Sequence, residues 1–243
     1  MDTDYKTLGK HISQRFNTEL EGLRNRVLTM GGLVEQQVAN AVTAFVNGNI
    51  TLAEEVIAND MRVNSMEVGV DEECTQIIAR RQPTASDLRL IIAVIKTITD
   101  LERMGDLAER IARMALQIAD QDRAGRASQF DEIRIMGNHV ASMVRDTLDA
   151  FARLDVEAAL EVPRNDLAAD RQYEAIVRQQ MTFIMEDPRS IRRSLDVMWA
   201  ARSLERIGDH CRNICEYVIY LVKGKDVRHI SIEEMEQAAR GDH

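Results

Sequence analysis

The chain has 243 residues, of which only 3 are proline and 12 are glycine, while 45% are hydrophobic and 4% aromatic. So few chain-breaking residues exclude a β-sandwich, which needs a turn about every 8–12 residues, and the many helix-forming residues favour an all-α fold. The formal net charge of −9 argues against nucleic-acid binding, which requires a basic surface, and the longest apolar run, residues 90–95, is too short for direct membrane insertion.

Helix-capping patterns divide the chain into six long helices. A capping box at residues 51–54 (TLAE) starts the second helix, and related patterns at 84–87 (TASD) and 128–131 (SQFD) start the third and fourth. Residues 187–188 (DP) place an N-cap acid before a proline, and residues 231–234 (SIEE) predict a short tail helix. The predicted long helices are residues 8–47, 52–81, 85–121, 129–154, 156–185 and 188–223.

The six helices belong to an internal repeat. At an offset of 106 residues, Met30 and Gly31 align with Met136 and Gly137. Further along the chain the offset becomes 103, and residues 101–106 (LERMGD) align with residues 204–209 (LERIGD). We therefore predict two tandem homologous three-helix bundles with a pseudo-two-fold internal repeat, residues 1–123 and 124–225, followed by a C-terminal tail, residues 226–243.

Each repeat carries a stripe of oxygen-bearing side chains on its third helix. Glu102 and Asp106 are four residues apart and share a helix face, as do Glu205 and Asp209, with Asn213 one turn further on. Like charges at this spacing destabilise a helix by about 0.2–0.5 kcal/mol, so their repetition in both copies indicates a compensating bound cation. Carboxylate and amide oxygens are suitable ligands for hard metal ions.

The second helix of each repeat supplies a matching stripe. If the second and third helices are antiparallel, the two stripes face each other across a groove. Gly105 and Gly208 leave room there for a close approach. The predicted metal ligands are Asp60, Glu102, Asp106, Asp166, Asp170, Glu205, Asp209 and Asn213.

Neighbouring arginines offer another explanation for the acidic stripes, because Glu–Arg pairs are common on solvated helix faces. Arg110 and Arg113 stand in the first copy where the second copy has Asn213 and Glu216. We expect these two arginines to neutralise part of the first acidic stripe. The sequence therefore predicts two unequal metal sites, the second of which binds more tightly.

The remaining reactive and aromatic side chains are interpreted mainly as core residues. Cys211 and Cys215 flank one helical turn beside His210, which would suit a soft metal ion, but free cysteines more often pack in protein cores. Trp199 and Tyr217 are predicted core anchors. The sequence contains no nucleotide-binding or nucleophile motif, and it lacks the paired Glu-x-x-His motifs of di-iron bundles, so di-iron oxidase activity is disfavoured.

Three sequence blocks together carry a family resemblance. The doubled LER[M/I]GD block, residues 30–37 (MGGLVEQQ) and residues 82–89 (QPTASDLR) resemble the PhoU family of phosphate-specific transport accessory proteins, over roughly residues 8–222. The resemblance implies two three-helix bundles, each with a metal-binding E/DxxxD motif. In this sequence those motifs are Glu102/Asp106 and Glu205/Asp209.

The resemblance also implies a role in phosphate homeostasis. It points to a non-enzymatic negative regulator of the phosphate-starvation (Pho) regulon that couples the phosphate ABC transporter ATPase to a sensor histidine kinase. The expected metals are divalent or trivalent ions, with iron, zinc, manganese and magnesium as candidates. The odd cysteine count and the acidic N-terminus, which predicts no signal peptide, favour a cytoplasmic protein. Helical adaptors often form two-fold homodimers. The alternative is a metal-storage or metal-dependent helical-bundle protein.

Overall fold

A computed structural model describes residues 3–121 and 130–241, and within these ranges it contains helices but no strand. None of the described helices combines the length and the apolar character that crossing a membrane requires. The helices, in chain order, are α1 Thr3–Asn47, α2 Ile50–Arg81, α3 Ala85–Gln121, α4 Asp131–Arg153, α5 Val156–Glu186, α6 Ile191–Lys223 and α7 Ile232–Arg240.

The predicted all-α fold and its six long helices are confirmed, but several helix starts differ. The helix α2 begins at Ile50, because the Asn49 side chain accepts a hydrogen bond from the Leu52 amide at 3.1 Å, so the predicted capping box at 51–54 is not the cap. The predicted start at residue 128 lies outside the described residues, and α4 begins at Asp131. Asp187 caps a short 3-10 turn, Pro188–Ser190, and α6 follows that turn.

The tail contains the predicted short helix. Ser231 and Glu234 form a reciprocal capping box, with distances of 3.2 Å and 2.9 Å between side-chain acceptors and backbone amides. The buried side chains of Met235 and Ala239 pack α7 against α5, and Glu236 forms an ion pair with Arg164. The tail is therefore attached to the second bundle.

Helices α1, α2 and α3 pack into one bundle, and α4, α5 and α6 pack into another, as the repeat predicts. Val, Ile, Leu, Ala and Met side chains fill both interiors. Cys211 and Cys215 are fully buried in this core, in agreement with their interpretation as core residues. Trp199 is 55% exposed, so its prediction as a core anchor is wrong, and Tyr217 is only half-buried, with Lys96 over its ring. Apolar composition alone does not say which face of a helix meets the core.

The two bundles meet through equivalent surfaces. A side chain added at Gly31 of α1 would clash with Leu148 of α4, and one added at Gly137 of α4 would clash with Val42 of α1. These two contacts exchange under the 106-residue offset of the repeat. The interface is therefore self-complementary, as in a two-fold dimer, and α3 packs against α6 along the same pseudo-two-fold axis.

Candidate metal centres

The first acidic cluster lies between α2 and α3, and it consists of Asp60, Asn64, Glu67, Glu102, Asp106 and Glu109. Asp60 stands at its centre and is 7% exposed. The Asn64 amide donates a hydrogen bond to Asp60 Oδ2 at 3.1 Å, whereas Asp60 Oδ1 and Asn64 Oδ1 are buried without a hydrogen-bond partner. Such orphaned oxygens are costly unless something else supplies the missing interaction.

The carboxylate groups of the first cluster repel one another. Burial raises the pKa of Asp60, and the charges of Asp106 and Glu109 raise it further. Burial also raises the pKa of Glu102, with added repulsion from Asp106 and Glu67. A bound cation would relieve this repulsion, because it favours the ionised form of every carboxyl group around it.

The helix α1 adds a ligand candidate that the sequence analysis missed. Gln37 is 3% exposed, and neither polar atom of its side-chain amide has a hydrogen-bond partner. Its Oε1 lies beside the first cluster, 3.4 Å from the position that a side chain at Gly105 would occupy. Under the repeat offset its counterpart is Met143, which lies 3.4 Å from the equivalent position at Gly208. Aligning the repeats shows that these two positions differ, but only the packing of α1 brings Gln37 to the first cluster.

The second acidic cluster lies between α5 and α6, and it consists of Asp166, Asp170, Glu205 and Asp209. Asp166 is 2% exposed, and burial together with the Asp209 charge raises its pKa to about 7. Burial and Asp209 also raise the pKa of Glu205, whose Oε1 accepts a hydrogen bond from Arg202 at 2.5 Å. Asp166 Oδ1 and Glu205 Oε2 are buried without a hydrogen-bond partner. Asp170 is half-buried, and its charge further raises the pKa values of Asp166 and Glu205.

The glycine of each LER[M/I]GD block lets the two acidic helices approach closely, as the sequence predicted. A side chain at Gly105 would stand 3.3 Å from Asp60 Oδ1, and one at Gly208 would stand only 2.5 Å from Asp166 Oδ1. A Cβ at Gly208 would therefore occupy the space into which the buried carboxylate projects. These glycines bring the central aspartate of each cluster against the neighbouring helix.

One ion pair differs between the two clusters, because its acidic and basic residues have exchanged positions between the repeats. In the first repeat, Arg113 pairs with Glu109 at 2.5 Å. In the second repeat the two charges are reversed, and Arg212 lies 3.8 Å from Glu216. As a result Arg212 comes within 3.7 Å of Asp166, while the equivalent residue in the first cluster, Glu109, is an acid.

The expectation that the second site binds more tightly stays a prediction, because arginines lie beside both clusters. Arg212 also lies 4.0 Å from Asp209, so the arginine that contacts a central aspartate belongs to the second cluster. In the first cluster, burial and neighbouring carboxylates raise the pKa values of Asp60 and Asp106, and Arg113 and Arg110 respectively act in the opposite direction, as the sequence predicted. Arginines therefore neutralise part of both clusters.

Asn213 is a predicted ligand whose observed partner belongs to the other bundle. Its amide donates a hydrogen bond at 3.2 Å to Asp100 of α3. His210 Nδ1 lies 2.6 Å from the same carboxylate, and both the histidine and the aspartate are buried. Asn213 and His210 therefore connect the two bundles, and we leave Asn213 out of the second cluster.

The clusters fit a hard cation in their chemistry, although the side chains are not arranged as a closed ligand shell. Within the described ranges, no group of three or more His, Cys, Asp or Glu side chains is placed closely enough to hold a metal ion. The buried oxygens without partners on Asp60, Asp166 and Glu205 are nevertheless of the type that such ions prefer.

Comparison with known protein families recovers the same two repeats. The family model for the PhoU domain matches the chain twice, over residues 27–115 and 133–218. The chain belongs to the PhoU family. Each PhoU match falls within one of the two predicted bundles, and together the matches contain both acidic clusters.

Full-length relatives extend this assignment. A protein of Pseudomonas putida named phosphate-specific transport system accessory protein PhoU homolog is 52% identical, over 97% of this chain and 91% of its own length. The crystal structure of PhoU from Pseudomonas aeruginosa matches with a TM-score of 0.83 and 51% identity, covering 86% of this chain and all of that one. The crystal structure of the phosphate transport system regulatory protein PhoU from Streptococcus pneumoniae matches with a TM-score of 0.79 and 30% identity, covering 87% and 99%. The double-bundle architecture is thus a PhoU fold.

Proposed function

We propose that this chain is a non-enzymatic, cytoplasmic regulator of phosphate transport that acts as a negative regulator of the Pho regulon. In this role it couples the phosphate ABC transporter ATPase to the sensor histidine kinase of the phosphate two-component system. The observation that carries the proposal is the similarity over nearly the whole chain to accessory proteins of phosphate-specific transport. The helical fold has no recognised catalytic motif, which suits an adaptor.

An adaptor needs a surface for its partners, and the second repeat offers one. Ile191, Leu195 and Trp199 follow each other at four-residue intervals on α6 and are 44%, 43% and 55% exposed. Met185, near the end of α5, is 84% exposed. The repeat counterparts of Ile191 and Leu195 are the apolar Leu88 and Ile92, but that of Trp199 is Lys96, so the aromatic side chain of this stripe is specific to the second bundle. Large apolar and aromatic side chains of this kind often dominate binding energy at protein interfaces.

A genetic experiment tests the regulatory role. Deletion of the gene should give constitutive expression from a Pho-regulated reporter in phosphate-rich medium, and the wild-type gene should restore repression. The Trp199→Ala variant should restore it only in part, while Met61→Ala, which truncates a 76% exposed side chain on α2, serves as the matched control. Normal repression in the deletion strain would contradict the proposed function.

Binding experiments then test the partners. The cytoplasmic portion of the kinase should retain the wild-type protein in a pull-down and retain Trp199→Ala less well. Repeating the pull-down with a chelator shows whether bound metal contributes. Light scattering after size exclusion tests the proposed homodimer, and a monomer at micromolar concentration would overturn that part of the proposal.

We further propose that both acidic clusters bind metal ions, with iron, zinc, manganese or magnesium as candidates. Asp60, Glu102 and Asp106 are the proposed ligands of the first site, and Gln37 adds a neutral oxygen. The proposed ligands of the second site are Asp166, Asp170, Glu205 and Asp209. Because Arg212 comes within 3.7 Å of the central Asp166, and the second repeat has Met143 in place of Gln37, we propose that the first site is the tighter one.

Elemental analysis of untagged protein and calorimetric titration with Mn²⁺ test this proposal. Asp60→Asn should abolish the tighter binding event and Asp166→Asn the weaker one. Gln37→Met, which copies the second repeat at this position, should weaken the tighter event, whereas Met143→Leu should change neither. Absence of metal binding by the wild-type protein would overturn the proposal, and loss of the tighter event in Asp166→Asn would reverse the order of the sites.

A further inference from the structure

A pocket of about 200 Å³ lies between α3 and α6, where the two repeats meet. Two pairs of its lining residues are equivalent under the 103-residue offset: Arg103 with Arg206, and Leu107 with His210. Equivalent residues of the two repeats come close together only near the pseudo-two-fold axis, so this axis passes close to the pocket. The pocket therefore exists only in the assembled double bundle, not in either bundle alone.

The pocket is basic in a protein that is acidic overall. Arg103, Arg110 and Arg206 all line it, and Asp106 is its one acidic residue. None of these three guanidinium groups has an ion-pair partner within 4.0 Å in the part of the chain that the structure describes. By contrast Arg113, Arg202 and Arg212 on the same two helices each reach a carboxylate. The three arginines are exposed and act on carboxylates of their own helices only at longer range, Arg103 on Glu102, Arg110 on Asp106 and Arg206 on Glu205, so their guanidinium donors remain available to an anion in the pocket.

His210, which also lines the pocket, is held in place by the contact between the bundles. His210 is 6% exposed, and its Nδ1 lies 2.6 Å from Asp100 Oδ1. The repeat counterpart of Arg110 is Asn213, which turns towards the same aspartate rather than into the pocket. The third arginine therefore comes from the first repeat only, and it makes the pocket asymmetric.

We propose that this pocket binds a small oxyanion of at least two negative charges, either free phosphate or the phosphoryl group of a small molecule. Guanidinium groups donate paired hydrogen bonds that match the geometry of phosphate oxygens, and three of them balance a dianion and the Asp106 carboxylate together. The Asp106 carboxylate faces the bound anion and opposes it. The arginines of the pocket are present without bound metal, so the site is tested on protein from which metal and chelator have been removed by dialysis.

Calorimetric titration of the full-length protein with inorganic phosphate at low ionic strength tests the proposal. Wild-type protein should bind one phosphate per chain. Arg103→Ala, Arg206→Ala and Arg110→Ala should each weaken binding about tenfold, which corresponds to about 1.4 kcal/mol. Asp106→Asn should instead tighten binding roughly threefold or more, because it removes the one negative charge of the pocket. This opposite sign separates an anion site from general loss of structure.

Arg192→Ala is the matched control, since it removes an exposed arginine from α6 outside the pocket and should leave phosphate binding unchanged. Parallel titrations with pyrophosphate and AMP distinguish free phosphate from the phosphoryl group of a larger molecule, and binding of any of the three that depends on the pocket arginines supports the proposal. Circular dichroism confirms that each variant is folded. The proposal is overturned if wild-type protein binds none of the three anions at millimolar concentration, or if Arg192→Ala weakens binding as much as the pocket variants do.

Discussion

The buried carboxyl group of Asp166 makes the stability of the metal-free protein depend on pH. Burial and the nearby Asp209 raise its pKa from 3.8 to about 7, even though Arg212 acts in the opposite direction. The folded protein therefore holds this proton more tightly than the unfolded chain does. Its contribution is most favourable below about pH 4, and it is lost as the pH rises from about 4 to about 7. Asp166→Asn removes the charge while keeping the size of the side chain.

The two pKa values set the magnitude of the effect. Since one pKa unit corresponds to about 1.4 kcal/mol, ionisation of Asp166 costs the folded state about 1.5 kcal/mol at pH 5 and about 4 kcal/mol at pH 8. The free energy of unfolding of Asp166→Asn should therefore rise by about 2.5 kcal/mol relative to wild type between these two pH values. Glu216, whose pKa is also raised to about 7, is present in both proteins, so its contribution cancels in the difference.

Urea unfolding at pH 5, 6, 7 and 8 measures this difference. The buffers contain EDTA, because a bound cation would stabilise the ionised carboxylate and hide the effect. Asp149→Asn is the control, since the Asp149 side chain is 60% exposed on α4, and it should shift the free energy of unfolding equally at all four pH values. An identical pH dependence in wild type and Asp166→Asn would refute the electrostatic account of the second cluster.

Substitutions elsewhere test other parts of the structure. Gly208→Ala should lower the free energy of unfolding by about 1–2 kcal/mol, because its Cβ would stand 2.5 Å from Asp166 Oδ1, whereas Gly105→Ala, with its nearest atoms at 3.3 Å, should change it by less than about 1 kcal/mol. Urea unfolding measures both, and equal losses would contradict the difference in spacing. Ser231→Ala should destabilise α7 by about 1 kcal/mol, seen as faster amide exchange in that helix, while Ser231→Asp, which keeps a capping oxygen, should not. The three cysteines are buried, so Ellman's reagent should label them only on unfolding, and rapid labelling of the native protein would contradict their burial.

The helices and the repeat could be predicted from sequence because their signals are local or periodic. The Ser231 capping box needs only four residues, and the LER[M/I]GD block is visible wherever the two halves are aligned. The same alignment placed Asp60 and Asp166 opposite the acidic residues of the third helices, and the structure brings both aspartates against the glycines of those helices.

The remaining features of the site depend on side-chain direction, which sequence spacing does not provide. Arg110 and Arg113 stand next to the first acidic stripe in sequence, yet Arg212 is the arginine that reaches a central aspartate. Gln37 belongs to α1, outside both acidic stripes, and enters the first cluster only through packing of the bundle. The exposure of Trp199 depends on which helices cover α6, and this is a property of the assembled fold.

The two bundles have different proposed roles because their sequences differ at a few equivalent positions. A duplicated bundle with a symmetric interior would present the same surface twice, so specialisation must arise at positions that differ. The differences on which we base a tighter first cation site are Gln37 against Met143 and Glu109 against Arg212. Trp199 against Lys96 gives only the second bundle an exposed aromatic side chain at this position for a partner. The pocket near the pseudo-two-fold axis lies between the two bundles, and Asp106 belongs both to this pocket and to the first cluster. A cation that neutralises Asp106 would therefore also favour an anion in that pocket, and by linkage the anion would favour the cation to the same extent.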